Sequence, residues 1–490
     1  MVPLKRRKVA CSLDPGDNAP TKFPQLVLFL LERKMGASRR AFLSRLGRKN
    51  GFQVEEAFSE RVTHVISENN SGDEVRTWMD AQGRAADAQL LDISWYTESM
   101  RAGLPVDIQD RHKLQQQQVN QAELLLFSVP AYACQRRTTL VNHNTALTDA
   151  LSLLAENAEL SEEEGRGVAF RRAAAVLKAL PSVVTSMAQL EGLPCLGGHS
   201  LRVIRDVLEN GASHEAETTK QSERYKALKV LTGIFGVGAK TADRWIREGI
   251  HTLQQLRESA QTLNRAQQAG LDHYDDLNQP VSQTEADAIG DIVQKAVACV
   301  LPGAQVTLTG GFRRGKDTGH DVDFLITHPE EGREVGLMPK IVSWLESRGF
   351  LLYQKTTRNS YLESMDGPGR PASNMDRFER CLSIFKLPDV EPQGTKEGPI
   401  SAAPQKRWRA VRVDLVVSPI SQFAFALLGW TGSKLFEREL RRWAGHEKAM
   451  SLSSHALHDN TQSRYLRASS EEEIFAHLSL EYIPPSERNA

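Results

Sequence analysis

The segment Leu308-Thr309-Gly310-Gly311-Phe312-Arg313-Arg314-Gly315-Lys316, followed by Gly319-His320-Asp321-Val322-Asp323-Phe324-Leu325-Ile326, constrains this chain more than any other. An apolar strand runs into a glycine pair, basic residues follow, and a second strand opens on two aspartates spaced i, i+2. At that spacing both carboxylates leave one face of a pleated strand, while Val322 and Phe324 point the other way, into a core. Like charges held side by side repel, and a multivalent cation between them makes the arrangement tolerable. A fold that hosts this segment needs a sheet with an apolar face and a face on which acids are fixed.

A third acid comes from Val411-Arg412-Val413-Asp414-Leu415-Val416-Val417. Asp414 lies opposite the apolar set Val411, Val413, Leu415 and Val417, so a carboxylate is fixed on the open face of a buried strand. Oxygen-only ligands select a hard ion, and few protein ligands leave room for water and phosphate, which makes magnesium the natural occupant. Carboxylates on adjacent strands suit phosphoryl transfer with two metals: one ion activates a hydroxyl nucleophile, the other neutralises the phosphates and leaving pyrophosphate. Gly310-Gly311 lets backbone N–H groups approach phosphate oxygens without a Cβ in the way. Arg314 and Lys316 add positive charge for the leaving group. An Asp-x-Asp alone is common on solvent-facing strands; glycines, basic residues, the acid pair and a third strand aspartate in this order are not.

At 490 residues the chain is too long for one core, and three or more folding units are expected. With 40% hydrophobic and 25% charged residues it has the composition of a soluble globular protein. No apolar run is long enough for a bilayer, and the N-terminus lacks a signal peptide's hydrophobic stretch. The five cysteines lie far apart without a Cys-x-x-Cys pair, which excludes a zinc ribbon or disulfide framework and fits a reducing compartment. Sixty-one basic side chains balance sixty-one acidic ones, so nucleic acid would bind a local groove rather than the whole surface. Lys5-Arg6-Arg7-Lys8, beside Pro15, Gly16 and Pro20, reads as a nuclear-import signal, with a solubilising tail as the alternative.

Globular text starts at Phe23. Leu26 to Leu30 reads as a buried strand, Arg39 to Lys49 as a helix with Phe42, Leu43 and Leu46 on one face, and Val62 to Ile66 as a second strand. Leu90 to Met100 reads as an aromatic helix, with Trp95 as a core plug. Arg39, Arg40, Arg45 and Arg48 face either DNA, partner acids or plain solvent. Strand, helix, strand and late-helix tryptophan, carried by Thr63-His64-Val65-Ile66 and Asp92-Ile93-Ser94-Trp95-Tyr96-Thr97-Glu98-Ser99, resemble a BRCT domain, a module that docks proteins or DNA ends. Residues around Gln115-Gln116-Gln117-Gln118 form a tether. Helical patterns then dominate to Pro280, strands follow, and helix returns near the end.

The acid constellation resembles the nucleotidyltransferase superfamily, and its spacing is similar to that of DNA polymerase family X. Ile234-Phe235-Gly236-Val237-Gly238-Ala239-Lys240-Thr241-Ala242 looks like a helix-hairpin-helix, whose Gly236 and Gly238 turn would present amides to a DNA phosphate; a plain helix–helix turn is the alternative. A weaker copy, Leu193 to His199, lies upstream, and Gly429-Trp430-Thr431-Gly432-Ser433-Lys434 falls where the family contacts the nucleotide sugar. The resemblance covers nearly the whole chain. Val411 to Lys434 and Val176-Leu177-Lys178-Ala179-Leu180-Pro181 place it nearest the end-joining members.

The expected fold class is multidomain α+β. It runs through a disordered head (1–21), an α/β BRCT domain (22–113), a linker (114–131) and a small helical domain gripping a downstream 5′-phosphate (132–227). A helix-hairpin-helix subdomain (228–282), a mixed β palm (283–420) with a mobile loop at 359–377, and an α/β nucleotide-selecting end (421–490) complete it. The resemblance implies a nuclear, DNA-directed DNA polymerase, monomeric, that fills short gaps and joins broken ends in non-homologous end joining and immunoglobulin gene rearrangement. Asp321, Asp323 and Asp414 would hold two magnesium ions, with manganese as a substitute. Gly310, Gly311, Arg314, Lys316, Gly319, His320, Gly429, Trp430, Gly432 and Lys434 would meet the dNTP. The carbonyls of Thr232, Ile234 and Val237 would hold a sodium or potassium ion against DNA. Arg441 and Arg442 would meet the template, unless they form a solvated helix face, and Arg166 and His199 the 5′-phosphate. Partners would be gapped or broken DNA and, through the BRCT module, the Ku heterodimer and the end-joining DNA ligase complex. Leu201-Arg202-Val203 stands where lyase-competent members carry a Schiff-base lysine, so no deoxyribose-phosphate lyase activity is expected. Gly429 replaces a bulky tyrosine, so weak rejection of ribonucleotides is expected. Pro388 to Pro404 reads as an exposed hairpin tip. Two alternatives stay open: template-independent terminal transfer, and a non-catalytic end-bridging scaffold.

Overall fold

The computed structural model describes residues 21–32, 35–68, 70–82, 88–114, 129–359, 376–388 and 407–490. The basic run Lys5 to Lys8, the glutamine run, most of the 359–377 segment and most of the Pro388–Pro404 tip lie outside them. The chain divides into two compact units, Met1–Leu124 and Leu125–Ala490.

In the first unit, strands β1 (Phe23–Leu30), β2 (Phe52–Glu55), β3 (His64–Ser67) and β4 (Gln89–Asp92) form a parallel sheet in the order β2-β1-β3-β4. Helices α1 (Ala37–Lys49), α2 (Gly72–Ala81) and α3 (Ile93–Ala102) complete it. A parallel sheet is buried on both faces, so β1 is apolar at successive positions. Leu28 and Leu30 join a core with Trp95 and Tyr96, whereas Val27, Phe29 and Leu31 join one with Val75 and Met79. Trp95 is the core plug expected, and its indole N–H donates to the Val106 carbonyl at 2.9 Å. Two expectations need correction. The helix containing Trp95 begins only at Ile93, because Asp92 ends β4 and its carboxylate caps α3 by accepting from Ser94 N at 2.8 Å. Phe42 does not share a buried face with Leu43: it is 61% exposed, while α1 turns Leu43, Ser44 and Gly47 inward. A side chain at Gly47 would overlap the Tyr96 hydroxyl, which donates to Leu43 O at 2.6 Å. Of the α1 arginines, Arg39 pairs with Glu68 at 2.8 Å, Arg40 with Glu32 at 3.1 Å and Arg48 with Glu56.

The second unit opens with helices α4 (Thr145–Leu160), α5 (Glu164–Lys178), α6 (Gly198–Asn210), α7 (His214–Gln221), α8 (Glu223–Thr232) and α9 (Ala239–Arg247). Shorter helices α10 (Leu253–Glu258), α11 (Arg265–Asp272) and α12 (Tyr274–Leu277) follow. Strands β5 (Val281–Ser282), β6 (Gln305–Leu308), β7 (Thr318–Gly319), β8 (Val322–Thr327), β9 (Leu351–Thr357), β10 (Glu379–Pro388) and β11 (Trp408–Val417) lie among helices α13 (Gln283–Val300), α14 (Gly310–Arg313) and α15 (Leu337–Ser347). The chain then forms α16 (Phe423–Thr431), α17 (Lys434–Lys448), a small sheet of β12 (Met450–Leu452), β13 (Leu457–Asp459) and β14 (Arg464–Leu466), and α18 (Glu471–His477). Among the described residues no helix is long and apolar enough to cross a membrane.

The central sheet runs β6-β8-β11-β10-β9, with β8 and β11 parallel and the other neighbours antiparallel. Val411, Val413, Leu415 and Val417 pack with Ile289 and Val293 of α13 and with Met338 and Ile341 of α15. The opposite face is less open than alternation alone suggests. Val416 and Leu325 are covered by Ala426 of α16, and Ala410 packs with Leu277, so Asp414 sits between two apolar contacts at 7% exposure. Tyr132 and Cys134, at the start of the expected small helical domain, belong to the core around Phe436 and Leu440 of α17.

Candidate active site

The acids meet because β8 and β11 run in parallel register, with Asp323 opposite Asp414. Asp321 lies one residue ahead of β8 rather than within it, yet still reaches the same face. One oxygen from each of Asp321, Asp323 and Asp414 lies within 4.8 Å of the others. Burial drives Asp323 well above the usual carboxylate range, and repulsion from Asp321 and then Asp414 adds to it. Asp414 is pushed up to about 6, again chiefly by burial. Its Oδ1 is buried without a hydrogen-bond partner. An orphaned carboxylate oxygen facing two more carboxylates is the donor set a hard divalent cation needs, so the residues fit magnesium.

Arg412, which sequence reasoning passed over, answers part of this charge. Its guanidinium stands 3.5 Å from Asp321 and 3.7 Å from Asp414, with its carbon 5.5 Å from the Phe235 ring centroid. Its spacing of two from Asp414 on one strand is the signal that could have found it.

The glycine pair closes over the acids. Gly310 adopts φ +63°, and a Cβ there would come within 2.5 Å of Asp323 Oδ2. Thr309 fixes the approach, donating its N–H to Asp323 O at 2.9 Å. Only glycine permits both the left-handed backbone and this closeness. Behind it, both amino groups of Arg313 grip Glu471 at 3.0 and 2.8 Å, and Arg488 joins that carboxylate at 2.7 Å, pinning α14 to α18.

Gly310, Gly311, Arg314, Asp321 and Asp323 form one side of a cleft of about 910 Å³. Gly429, Trp430, Gly432 and Lys434, from α16 and the start of α17, line it as well, with Arg441 and Arg442 further along α17. Trp430 is steered by Asp376, which accepts from its indole N–H. Arg441 donates to Ser454 Oγ at 3.3 Å, and Arg442 pairs with Glu439 at 3.3 Å and stacks over Tyr132. Arg172, Glu437, Arg438 and His446 also line the cleft and were not expected. Arg172 arrives from α5, tethered to Glu439 at 2.7 Å, and its sequence neighbourhood gives no sign of that placement. Lys316, Gly319 and His320 lie outside the lining: Lys316 and His320 are exposed, and Gly319 makes room for the Phe312 ring.

Gly429 behaves differently from the empty space expected. A Cβ there would come within 2.6 Å of Ser454 Oγ, so the missing side chain's place is already taken from the β12–β13 turn.

The hairpin glycines sit between α8 and α9: Gly236 is left-handed at φ +83°, and Gly238 starts α9 without a side-chain cap. Ile234 and Val237 bury their side chains, Val237 N–H donates to Ile234 O at 3.0 Å, and Thr232 ends α8. Arg166 and His199 come together apart from the cleft lining, both on Glu215, at 3.0 and 2.7 Å.

The segment 142–213 matches a helix-hairpin-helix domain, 229–278 the fingers domain of DNA polymerase lambda, 281–388 the DNA polymerase beta palm and 426–489 the DNA polymerase beta thumb. The chain is 51% identical to human DNA-directed DNA/RNA polymerase mu over 498 residues, 99% of each chain. It is 45% identical to human DNA nucleotidylexotransferase over 504 residues, 99% of this chain and 97% of the relative. The Xenopus laevis DNA nucleotidylexotransferase is 44% identical over 500 residues, 100% and 98% of the two chains.

Proposed function

The chain belongs to DNA polymerase family X and is a DNA-directed DNA polymerase, and from that premise we propose that it extends primer 3′-hydroxyls at short gaps and broken ends, in end joining and immunoglobulin gene rearrangement. What carries this is the convergence of Asp321, Asp323 and Asp414 under Gly310, at one side of a cleft that also holds Trp430 and Lys434. Asp321, Asp323 and Asp414 would hold two magnesium ions, which when bound supply a more acidic primer hydroxyl and neutralise phosphate charge. Gly310 and Gly311 present main-chain N–H groups to the triphosphate, and Arg314 carries positive charge to the leaving pyrophosphate. Lys316 and His320, both exposed, reach the triphosphate once it is bound. Trp430 and Gly432 border the nucleotide, and Arg441 and Arg442 border the template.

Arg166 and His199, now sharing Glu215, take the downstream 5′-phosphate, and the hairpin carbonyls of Thr232, Ile234 and Val237 hold a monovalent cation against the strand. The first unit docks the Ku heterodimer and the ligase complex as a BRCT module; its four-stranded parallel sheet and buried Trp95 support that. Import into the nucleus through Lys5 to Lys8 completes the assignment. Extension of a one-nucleotide gap bearing a 5′-phosphate should far exceed extension on the same gap with a 5′-hydroxyl. Equal rates on both would refute the two-sided grip.

Sugar rejection is weak, since Ser454 Oγ, far smaller than a tyrosine ring, is what fills the place of a side chain at position 429; the DNA/RNA name of the human relative supports this. A dNTP preference of about a thousandfold over rNTP in single-turnover assays would count against it. Lyase chemistry is absent, because Leu201-Arg202-Val203 offers no amine nucleophile, and borohydride trapping of an abasic-site adduct would contradict that. Template-independent transfer is the second reading, favoured by the identity to two nucleotidylexotransferases. Extension of a lone single strand as fast as gap filling would select it.

A further inference from the structure

Arg314 is held at both its Nε–H and its main-chain carbonyl by one side chain. Its Nε–H donates to Asn489 Oδ1 at 3.1 Å, while Asn489 Nδ2 donates back to the Arg314 carbonyl at 3.3 Å. The same Nδ2 donates to Ser486 O at 2.9 Å. Asn489 is 2% exposed, and its backbone is fixed as firmly: its N–H donates to Thr138 O at 3.0 Å and its carbonyl accepts from Lys178 Nζ at 2.6 Å. An amide supplies one acceptor and two donors, and this position uses both kinds. An aspartate would lose the donors, and an alanine would lose every side-chain contact. Arg314 also donates through NH1 to Thr431 O, which ties it to the α16 end of the cleft. A Cβ at Gly432 would come within 3.1 Å of the same NH1. With Nε and one N–H of NH1 committed, the remaining guanidinium N–H groups have no partner among the described residues and can take phosphate oxygens in a fixed fork.

We propose that Asn489 is a positioning residue for the nucleotide triphosphate, acting through Arg314 by clamping its guanidinium and its main chain together. The proposal rests on Arg314 facing the triphosphate, as assigned above. A long arginine left to its own rotamers would bind the same phosphates, but it would order itself on every turnover.

The test is a double-mutant cycle in the full chain, on gapped DNA, with Asn489→Ala, Arg314→Ala and the pair. Asn489→Ala should lower kcat/KM for dNTP by about tenfold and raise the pyrophosphate concentration needed for the reverse reaction, while gapped-DNA affinity stays within about twofold. In the Arg314→Ala background the same substitution should change kcat/KM by less than about twofold, because the group it positions is gone. Losses that multiply would overturn the clamp while leaving Arg314 on the triphosphate. An Arg314→Ala variant with unchanged KM for dNTP would remove the assignment beneath it and the clamp together. Should Asn489→Ala fail to fold, Asn489→Ser and Arg314→Ala form the second cycle: serine is too short to hold the guanidinium but keeps a polar group in the buried site, so its loss must fall below about twofold once the Arg314 side chain is gone.

Discussion

Asp414 is ionised at neutral pH in the unfolded chain, whereas in the metal-free fold burial pushes it up to about 6. That rise makes its charged form roughly 3 kcal/mol costlier in the fold than in the unfolded chain. Between the model-peptide carboxylate value and about 6 the native state therefore binds more protons at this site, so the contribution of Asp414 to stability is largest below that window and is lost as pH rises through it. Relative to the Asn variant (Asp414→Asn), metal-free native protein should lose several degrees of Tm between pH 4.5 and pH 7.5, and saturating magnesium should narrow that difference. Differential scanning fluorimetry checks this, and equal pH slopes for both proteins would contradict it. At this scale the acids were legible because alternation on a strand is a strict rule, and Arg412 obeys the same rule. Arg172 and Glu437 were not legible, since nothing local in sequence tells a helix which distant cleft its face will border.

Strands were read more closely than helix faces. The span Val322 to Thr327 is β8 itself, and Val411 to Val417 lies within β11. The face of α1 was misread at Phe42, because Gly47 rather than a large apolar residue sets which side of that helix approaches Tyr96. Likewise the role of Gly429 depends on a turn met only in three dimensions. Helix α16 can approach Ser454 because position 429 carries no Cβ. Gly429→Ala should destabilise the second unit by ~1–3 kcal/mol through overpacking. Adding Ser454→Ala should recover most of that, and denaturant melts of the two single variants and the pair measure the coupling. Additive losses would mean that the two positions do not touch.

Across the whole molecule, the two units own separate cores, so damage to one should leave the other's chemistry in place. Trp95→Ala removes the plug of the first unit and should cost ~3–5 kcal/mol there. Gap filling on naked DNA should stay within about twofold, while the recruitment to Ku-bound ends proposed for this unit should be lost. A parallel fall in both activities would show that the units work as one body. The change from helical patterns to strands and back to helix after residue 132 was legible from periodicity, but the sharing of Tyr132 and Cys134 with the α17 core was not, because packing over 300 residues of separation leaves no local pattern. Convergence of the three acids on shared metal is tested most directly by single-turnover addition of one dNTP to a one-nucleotide gap at saturating magnesium. Asp414→Asn, folded and DNA-bound, is predicted to react at least about a thousandfold more slowly than the native chain. A rate within tenfold of native would contradict the account.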